Sequence, residues 1–135
     1  MEYRMYNFVL KSLSTMQKGI QALHSTVEYI DYYYDDKCSG YYELKQWIER
    51  DKTAIILDAG NSDDMKDIIS NCEKMGIKYA AFQEQDLNNI TTSISILVPS
   101  FIYELDDDRF EKGKYGMYYN HIYLYELIKS KHLAR

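Results

Sequence analysis

The sequence is poor in the residues that shape loops and cross-link small proteins. Its 135 residues include one proline, six glycines and two cysteines. Cys38 and Cys72 stand alone, without CxxC spacing, so neither a zinc site nor a disulfide scaffold is indicated. No GxGxxG, phosphate-binding loop or HExxH motif occurs, and we expect no metal or other cofactor. The fold must therefore depend on a hydrophobic core.

Long apolar runs and an excess of basic residues are also missing. No stretch of about 18 apolar residues is present that would span a membrane, and residues 1–8 lack the apolar core of a signal peptide. We therefore expect a cytoplasmic protein with no membrane partner. Lys and Arg number 16 against 21 Asp and Glu, a net charge of −5. This balance argues against non-specific binding along a nucleic-acid backbone and leaves only a local basic site open.

What the chain has in abundance is apolar residues (46%) and tyrosine, with 15 copies. The length and composition are typical of one globular domain with a single core. We divide the chain into an α/β domain at residues 1–102 and an acidic linker with a C-terminal helix, packed on the same domain, at residues 103–135. The tyrosine excess either supplies surfaces for stacking and partners or reflects AT-rich coding, which we favour.

Hydrophobic periodicity predicts alternating strands and helices. Strands are predicted at residues 6–10, 53–57, 77–82 and 93–98, the second of them ending at Asp58 and the last at Pro99. Helices are predicted from Ser14 or Thr15 onward, at 41–50, from Asn61 or Ser62 to Gly76, and at about 117–133. The second and third strands, joined by a helix, should be parallel. The sum is an α/β sandwich with a helical tail.

The first helix has the clearest pattern. Its apolar positions recur at spacings of four and three, and its opposite face is polar. The apolar positions are Met16, Ile20, Leu23, Val27 and Ile30, and the polar face carries Lys18, Gln21, His24, Ser25 and Glu28.

Polar residues should converge where the first and third strands end, if these two strands are parallel. One contributing segment is 11–18, with Lys11, Lys18 and the start of the helix; the other is the acidic turn 84–89. A lysine and helix amide groups can hold a phosphate or a developing oxyanion while a carboxylate orients water. The turn carries Glu84, Asp86, Asn88 and Asn89, with Thr91 and Thr92 directly after it.

Each of these residues also has an ordinary structural interpretation. Asp86, Asn88 and Asn89 suit a turn, and Lys18 suits a solvated helix surface. Gln21 and His24 are neighbours on the helix, where a polar ligand would meet both. Asp58 follows the second strand, as catalytic carboxylates do in some α/β enzymes, but the turn interpretation is favoured. Cys72 should be a core residue.

The chain resembles the type II peptidyl-tRNA hydrolases and their small phage-encoded relatives. The likeness rests on "KGIQALHSTV", with Gln and His three apart, on the strand–helix–strand unit at residues 52–82, and on the acidic turn followed by threonine and an alternating strand. It spans about residues 5–99. The segment "DLNNIT" is shorter than the corresponding family turn and lacks its arginine, and both Lys18 and Lys11 miss the register of the family's lysine.

The resemblance implies a three-layer α/β sandwich, with a mixed four-stranded sheet between helices on both faces. The C-terminal helical tail beyond Pro99 is additional to the family's core. The resemblance also implies metal-free hydrolysis of the ester that joins a peptide to the 3′ end of tRNA. The catalytic residues would be Asp86, Lys18 and Thr92 or Thr91. Substrate binding would fall to a second group, which comprises Lys11, Gln21, His24, Glu84, Asn88 and Asn89.

Two other functions remain open from the sequence. One is a non-catalytic protein that uses the same cleft for a small nucleotide ligand or signalling molecule, a function that the acidic net charge favours. The other is an interaction protein built around the C-terminal helix, whose tyrosines suggest a homodimer surface.

Overall fold

A computed structural model describes residues 1–105 and 119–134 as an α/β fold. The strands are β1 (Tyr3–Leu10), β2 (Ala54–Gly60), β3 (Ala80–Glu84), β4 (Ile90–Pro99) and β5 (His132–Leu133). The helices are α1 (Thr15–Tyr33), α2 (Tyr41–Gln46), α3 (Ser62–Met75), α4 (Ser100–Tyr103) and α5 (Tyr119–Ser130). A π-helical turn, Trp47–Asp51, continues α2, and a 3₁₀ turn, Gln85–Leu87, follows β3.

The five strands form one mixed sheet in the order β3-β4-β1-β2-β5. β1 and β2 are its parallel pair, while β4 runs antiparallel to both β1 and β3. β3 therefore points in the same direction as β1 and β2. Because of this, Leu10, Gly60 and Glu84, the last residues of these three strands, lie along one edge of the sheet. We call it the carboxyl edge.

Two details of the predicted sheet are wrong. The four-stranded sheet has a fifth strand, β5, whose two residues pair with Leu57 and Asp58 after α5 has ended. The second and third predicted strands, β2 and β3, run in the same direction, as predicted, and β1 and β4 lie between them. β2 also continues through Asp58 to Gly60, so Asp58 is a strand residue and the interpretation as a turn former is wrong.

Two hydrophobic clusters cover the two faces of the sheet. Side chains alternate between faces along a strand, and in β1 Tyr6, Phe8 and Leu10 belong to the larger cluster while Met5 belongs to the smaller one. The larger cluster includes α3 and α5, and Cys72 is fully buried within it, as predicted. The smaller cluster joins Tyr29 of α1 to Leu44 and Trp47. Helices thus pack on both sides.

Helix α1 begins at Thr15, as predicted, but faces the opposite way. Its predicted apolar side is largely exposed: Met16 is 76% exposed, Leu23 62% and Val27 54%. Its polar side is buried, with Lys18 only 5% and Gln21 only 2% exposed, so the interpretation of Lys18 as a solvated residue is wrong. Amphipathic spacing identified a helix but gave the wrong buried face.

The cause lies in the strands beneath α1. Ser93 and Ser95 of β4 and Asn7 of β1 present polar groups on this face of the sheet, and each is buried. Only a polar helix surface can satisfy them. Ser25 of α1 lies within 2.5 Å of the Ser93 hydroxyl and 2.6 Å of the Ser95 hydroxyl. Two surfaces that each look solvent-facing in the sequence therefore pack against one another.

Helix α3 follows its sequence signals closely. Asn61 caps it, and the Asp64 carboxylate accepts a hydrogen bond from the Asn61 backbone N–H, forming a capping box. Gly76 ends the helix in the left-handed conformation, with φ of 67°. The predicted last helix appears as α5, and its first residues, with most of the predicted acidic linker, lie outside the described residues.

Candidate functional site

A buried polar network joins α1 to the sheet. Among the described residues, all seven buried polar or charged side chains lie at this interface. The Asn7 Oδ1 atom accepts hydrogen bonds from Ser95 at 2.5 Å and from Thr26 at 2.7 Å. The seven buried residues are Asn7, Lys18, Gln21, Ser25, Thr92, Ser93 and Ser95. Hydrogen bonds inside a low-dielectric interface are strong, and the network therefore fixes where α1 sits.

Gln21 connects the network to the acidic turn. Its Oε1 accepts a 2.6 Å hydrogen bond from the Thr92 hydroxyl, and its Nε2 donates to Glu84 Oε2 at 3.0 Å. The hydrogen bond from Gln21 holds the pKa of the Glu84 carboxyl below its ordinary value, because it favours the charged form. The predicted proximity of α1 and the acidic turn is thus present in the structure.

A bulge decides which threonine meets Gln21. In the β3–β4 pairing, Phe82 is opposite Ser93 and Gln83 is opposite Thr91, so Thr92 is an extra residue in β4. Strict alternation would place Thr92 with Ile94 on the α3 face. The bulge instead turns Thr92 toward α1, while Thr91 lines a cavity with residues of α3. The side chains of the two threonines therefore lie on different faces of the sheet.

Lys18 forms an ion pair with Asp58. Its Nζ lies 2.8 Å from Asp58 Oδ1, and the two side chains are 6% and 20% exposed. Asp58 faces α1 because its neighbours Leu57 and Ala59 belong to the cluster on the α3 face. A bulge follows it: Val9 pairs with Asp58 and Leu10 with Gly60, which leaves Ala59 as an extra residue at the end of β2. The partly exposed carboxylate places this pair at the boundary between the buried network and solvent.

A groove runs along the carboxyl edge. It lies on the side of Asp58 that faces away from Lys18. It consists of three adjoining cavities of about 220, 550 and 490 Å³. Lys11 and Gly60 line both the first and the second, and Ser62 and Ile90 line both the second and the third. The backbone N–H of Lys11 donates to the Gly60 carbonyl at 2.8 Å and ties the two strand ends together. We call this feature the edge groove.

The edge groove is locally basic although the chain is acidic. Lys11, Lys66 and Lys131 line it, together with His132. Its carboxylates are Asp58, which is paired with Lys18, and Asp64, which caps α3. The lysines therefore dominate the charge that an incoming ligand would meet, as suits a phosphate-bearing ligand.

The predicted site residues fall into three places. Lys18, Gln21, Glu84 and Thr92 belong to the network beneath α1, whereas Lys11, Asn89 and Thr91 line the edge groove. The remaining residues, His24, Asp86 and Asn88, are exposed on the surface of the helix and turn.

The acidic turn itself is a compact surface feature. Asp86 is exposed, and its backbone N–H donates to Glu84 Oε1 at 3.4 Å. Asn88 and Asn89 adopt positive φ values of 57° and 60°, as the turn-forming interpretation predicts. His24 stacks on Phe82, with 4.4 Å between ring centroids. Asp86 lies outside the residues that line the edge groove.

The sequence did not predict that Lys66, Lys131 and His132 line the groove, and it favoured a turn-forming role for Asp58. The position of Asp58 directly after a buried strand was the signal that could have identified it. Lys131 and His132 reach the groove through β5, which is too short for periodicity to reveal. Lys66 is an ordinary exposed helix residue in the sequence, and nothing there distinguishes it.

The described part of the chain contains neither a cluster of side chains suited to a metal ion nor a helix long and apolar enough to cross a bilayer. Neither protein-family models nor curated proteins match the sequence. The assignment of function therefore depends on the geometry of the site.

Proposed function

We propose that this protein hydrolyses an ester at a tRNA or nucleotide 3′ end. One observation carries the proposal: a groove lined by Lys11, Lys66 and Lys131 ends at the Lys18–Asp58 ion pair. The lysines suit the phosphates of the nucleotide, and the ion pair supplies a carboxylate held in place beside the groove. The resemblance to type II peptidyl-tRNA hydrolases, with helices on both faces of a mixed sheet in a three-layer sandwich, supports the same function.

Hydrolysis of the ester needs a carboxylate and a water molecule. The Asp58 carboxylate, held in place by Lys18, accepts a proton from the water molecule while the water oxygen attacks the ester carbonyl carbon. Lys11 lines the groove beside Asp58, and its ammonium stabilises the negative charge that develops on the ester carbonyl oxygen. Collapse of the intermediate breaks the ester C–O bond, and the proton passes to the departing ribose oxygen. The products are a free carboxylic acid and a 3′ hydroxyl.

Asp86 is the competing carboxylate, since the resemblance gives the catalytic role to it. It is exposed to solvent and lies next to Glu84, whose carboxylate accepts a hydrogen bond from Gln21. Gln21 and Thr92, whose side chains are buried, would then position the turn and not contact the substrate.

The test is hydrolysis of peptidyl-tRNA by the full chain and three variants. We expect Asp58→Asn to reduce turnover by about 100-fold or more, as is typical for loss of a group that transfers a proton. Asp36→Asn, at an exposed position of the loop before α2, is the matched control and should retain wild-type turnover. Circular dichroism must first show that each variant is folded.

Asp86→Asn decides between the two carboxylates. If it removes turnover while Asp58→Asn retains it, Asp58 is not the base and the role belongs to the acidic turn. Absence of turnover by the wild-type chain would contradict the hydrolase proposal as a whole.

A second candidate is a non-catalytic nucleotide-binding protein. The fully buried Thr92 favours it, because this hydroxyl donates to Gln21 and is not presented to the groove. This candidate predicts that a nucleotide stabilises the fold without being changed. At 100 times its dissociation constant, the ligand would raise the free energy of unfolding by about 2.7 kcal/mol.

A further inference from the structure

Helix α1 carries an exposed apolar stripe that no other described part of the chain covers. Met16, Ile20, Leu23 and Val27 form it, at 76%, 39%, 62% and 54% exposure. The chain on either side of the undescribed segment packs elsewhere, because Leu105 and α5 belong to the cluster on the α3 face. Four large apolar side chains on one helix face are more than the scattered singles of an ordinary surface. The stripe therefore suits a partner.

The spacing of the four stripe residues is the same when it is counted from either end of the helix. Its spacings are four, three and four, so Met16 and Val27, and likewise Ile20 and Leu23, are equidistant from the midpoint between Gln21 and Ala22. A two-fold axis through that midpoint would bring Met16 against Val27 and Ile20 against Leu23 of a second copy. Such self-complementarity is what an isologous interface requires.

The charges on α1 favour the antiparallel arrangement of two copies. The first turn has no acidic side chain and the last turn has no basic one. Glu28 and Asp31 lie in the C-terminal half, whereas Lys11 precedes the N-terminus. Antiparallel pairing brings Asp31, one turn after Val27, to the positive end of the partner's helix dipole. Parallel pairing would place the two acidic halves side by side.

Gly19 is consistent with a close approach of a second helix. Glycine inside a helix costs about 1 kcal/mol relative to alanine. A Cβ atom at position 19 would meet nothing within 4 Å, so the monomer has no packing reason for this glycine. Gly19 lies beside the stripe, one turn from Leu23, where its missing side chain leaves room for a partner.

A dimer contact must extend beyond the four stripe residues to the end of α1, because these residues alone do not supply enough buried area. A stable interface buries roughly 800 Å² on each partner, more than four side chains supply. Tyr34, 44% exposed and seven positions after Val27, continues the surface. In the antiparallel arrangement the Tyr34 end of one copy lies beside the Lys11 end of the other, next to the edge groove. Tyrosine suits such an interface because it joins an apolar ring to a polar hydroxyl.

We propose that this protein forms an antiparallel, two-fold symmetric homodimer through the α1 stripe. The proposal is independent of the hydrolase activity. It differs from the homodimer expected from the sequence, because the contact is made by α1 and not by the C-terminal tyrosines.

The first experiment measures the mass of the full chain by light scattering. We expect the wild type at twice the 16.0 kDa monomer mass. Leu23→Glu should weaken dimerisation on the order of 100-fold, because it buries a carboxylate against apolar side chains. Leu133→Glu is the matched control, since Leu133 is 64% exposed on β5, and it should remain dimeric. A monomeric wild type, a dimeric Leu23→Glu or a monomeric Leu133→Glu would overturn the proposal.

A second experiment tests the orientation in a chain that lacks the half-exposed Cys38. In the Cys38→Ser background, Ile20→Cys and Leu23→Cys proteins are mixed and oxidised. Antiparallel pairing predicts disulfide formation between the two different proteins, because positions 20 and 23 face each other. If each protein instead cross-links only with itself, the antiparallel arrangement is wrong. This readout does not depend on a destabilising substitution.

Discussion

At the scale of single residues, the site depends on how a few polar side chains are paired. The 6% exposed Lys18 and the 20% exposed Asp58 form a pair whose separate burial would be unfavourable. Gln21 engages both of its functional groups, one with Thr92 and one with Glu84. Each of these side chains is held by a partner from a different element. Small substitutions should therefore show coupling across the sheet.

The Lys18–Asp58 pair gives a prediction about stability. Lys18→Met leaves a partly exposed carboxylate, which water can reach, and should cost about 2 kcal/mol. Asp58→Asn leaves a nearly buried ammonium and should cost about 3 kcal/mol. Lys18→Met with Asp58→Leu should cost clearly less than the sum of Lys18→Met and Asp58→Leu made separately, because it leaves no unpaired charge. Urea unfolding of the wild type and these four variants measures the coupling, and strict additivity would contradict the pairing.

At the scale of elements, two bulges shape the site. The extra residue in β4 turns Thr92 toward α1, and the extra residue in β2 lies between Asp58 and Gly60. Bulges re-aim side chains near functional sites. The bulge in β4 turns Thr92 toward α1, whereas Asp58 faces the same helix through the ordinary alternation of β2. The start of α3 completes the groove, with Asn61 and Ser62 among its lining residues.

Replacement of Gly60 tests how tightly the end of β2 packs against the start of α3. Its φ is 108°, and a Cβ atom there would lie 2.2 Å from Asp64 Oδ2, the atom that caps α3. Gly60→Ala should cost about 2–4 kcal/mol through backbone strain and loss of the cap. Gly76→Ala is the control: its φ is 67° and its Cβ meets nothing within 4 Å, so it should cost about 1 kcal/mol. Equal losses of unfolding free energy would show that the Gly60–Asp64 contact is unimportant.

Local signals predicted most elements but not how they face. The capping box of α3, Gly76 and the alternation of β4 depend on neighbours in the chain, and all appear as predicted. The orientation of α1 depends on residues far away in sequence, since Ser25 pairs with Ser93 and Ser95. Similarly, the bulge at Thr92 depends on how β4 pairs with β3, and β5 exists only because its residues pair with β2. These features separate Thr91 from Thr92 and bring Lys131 to Asp58, and no local pattern reveals them.

At the scale of the whole molecule, the cavities at the two ends of the sheet differ in the charges that line them. The edge groove has three lysines, although the net charge is −5. A cavity of about 560 Å³ at the opposite end has aromatic side chains in its lining, among them Tyr29, Phe101 and His121. Its charged lining residues, Glu43 and Lys78, are opposite in sign, so charge distinguishes this cavity from the edge groove. A phosphate-bearing ligand should choose the groove.

The most direct test of the central claim is an amide NMR titration of the full chain with a short RNA that carries the tRNA 3′ end. We predict that the chemical-shift changes concentrate at residues 11–13, 58–62 and 131–132 and disappear in a Lys11→Ala/Lys66→Ala double variant. Lys37→Ala, at an exposed position away from the groove, should bind like the wild type. Shift changes centred on Tyr29 and Phe101, or none at all, would contradict a nucleotide site at the carboxyl edge.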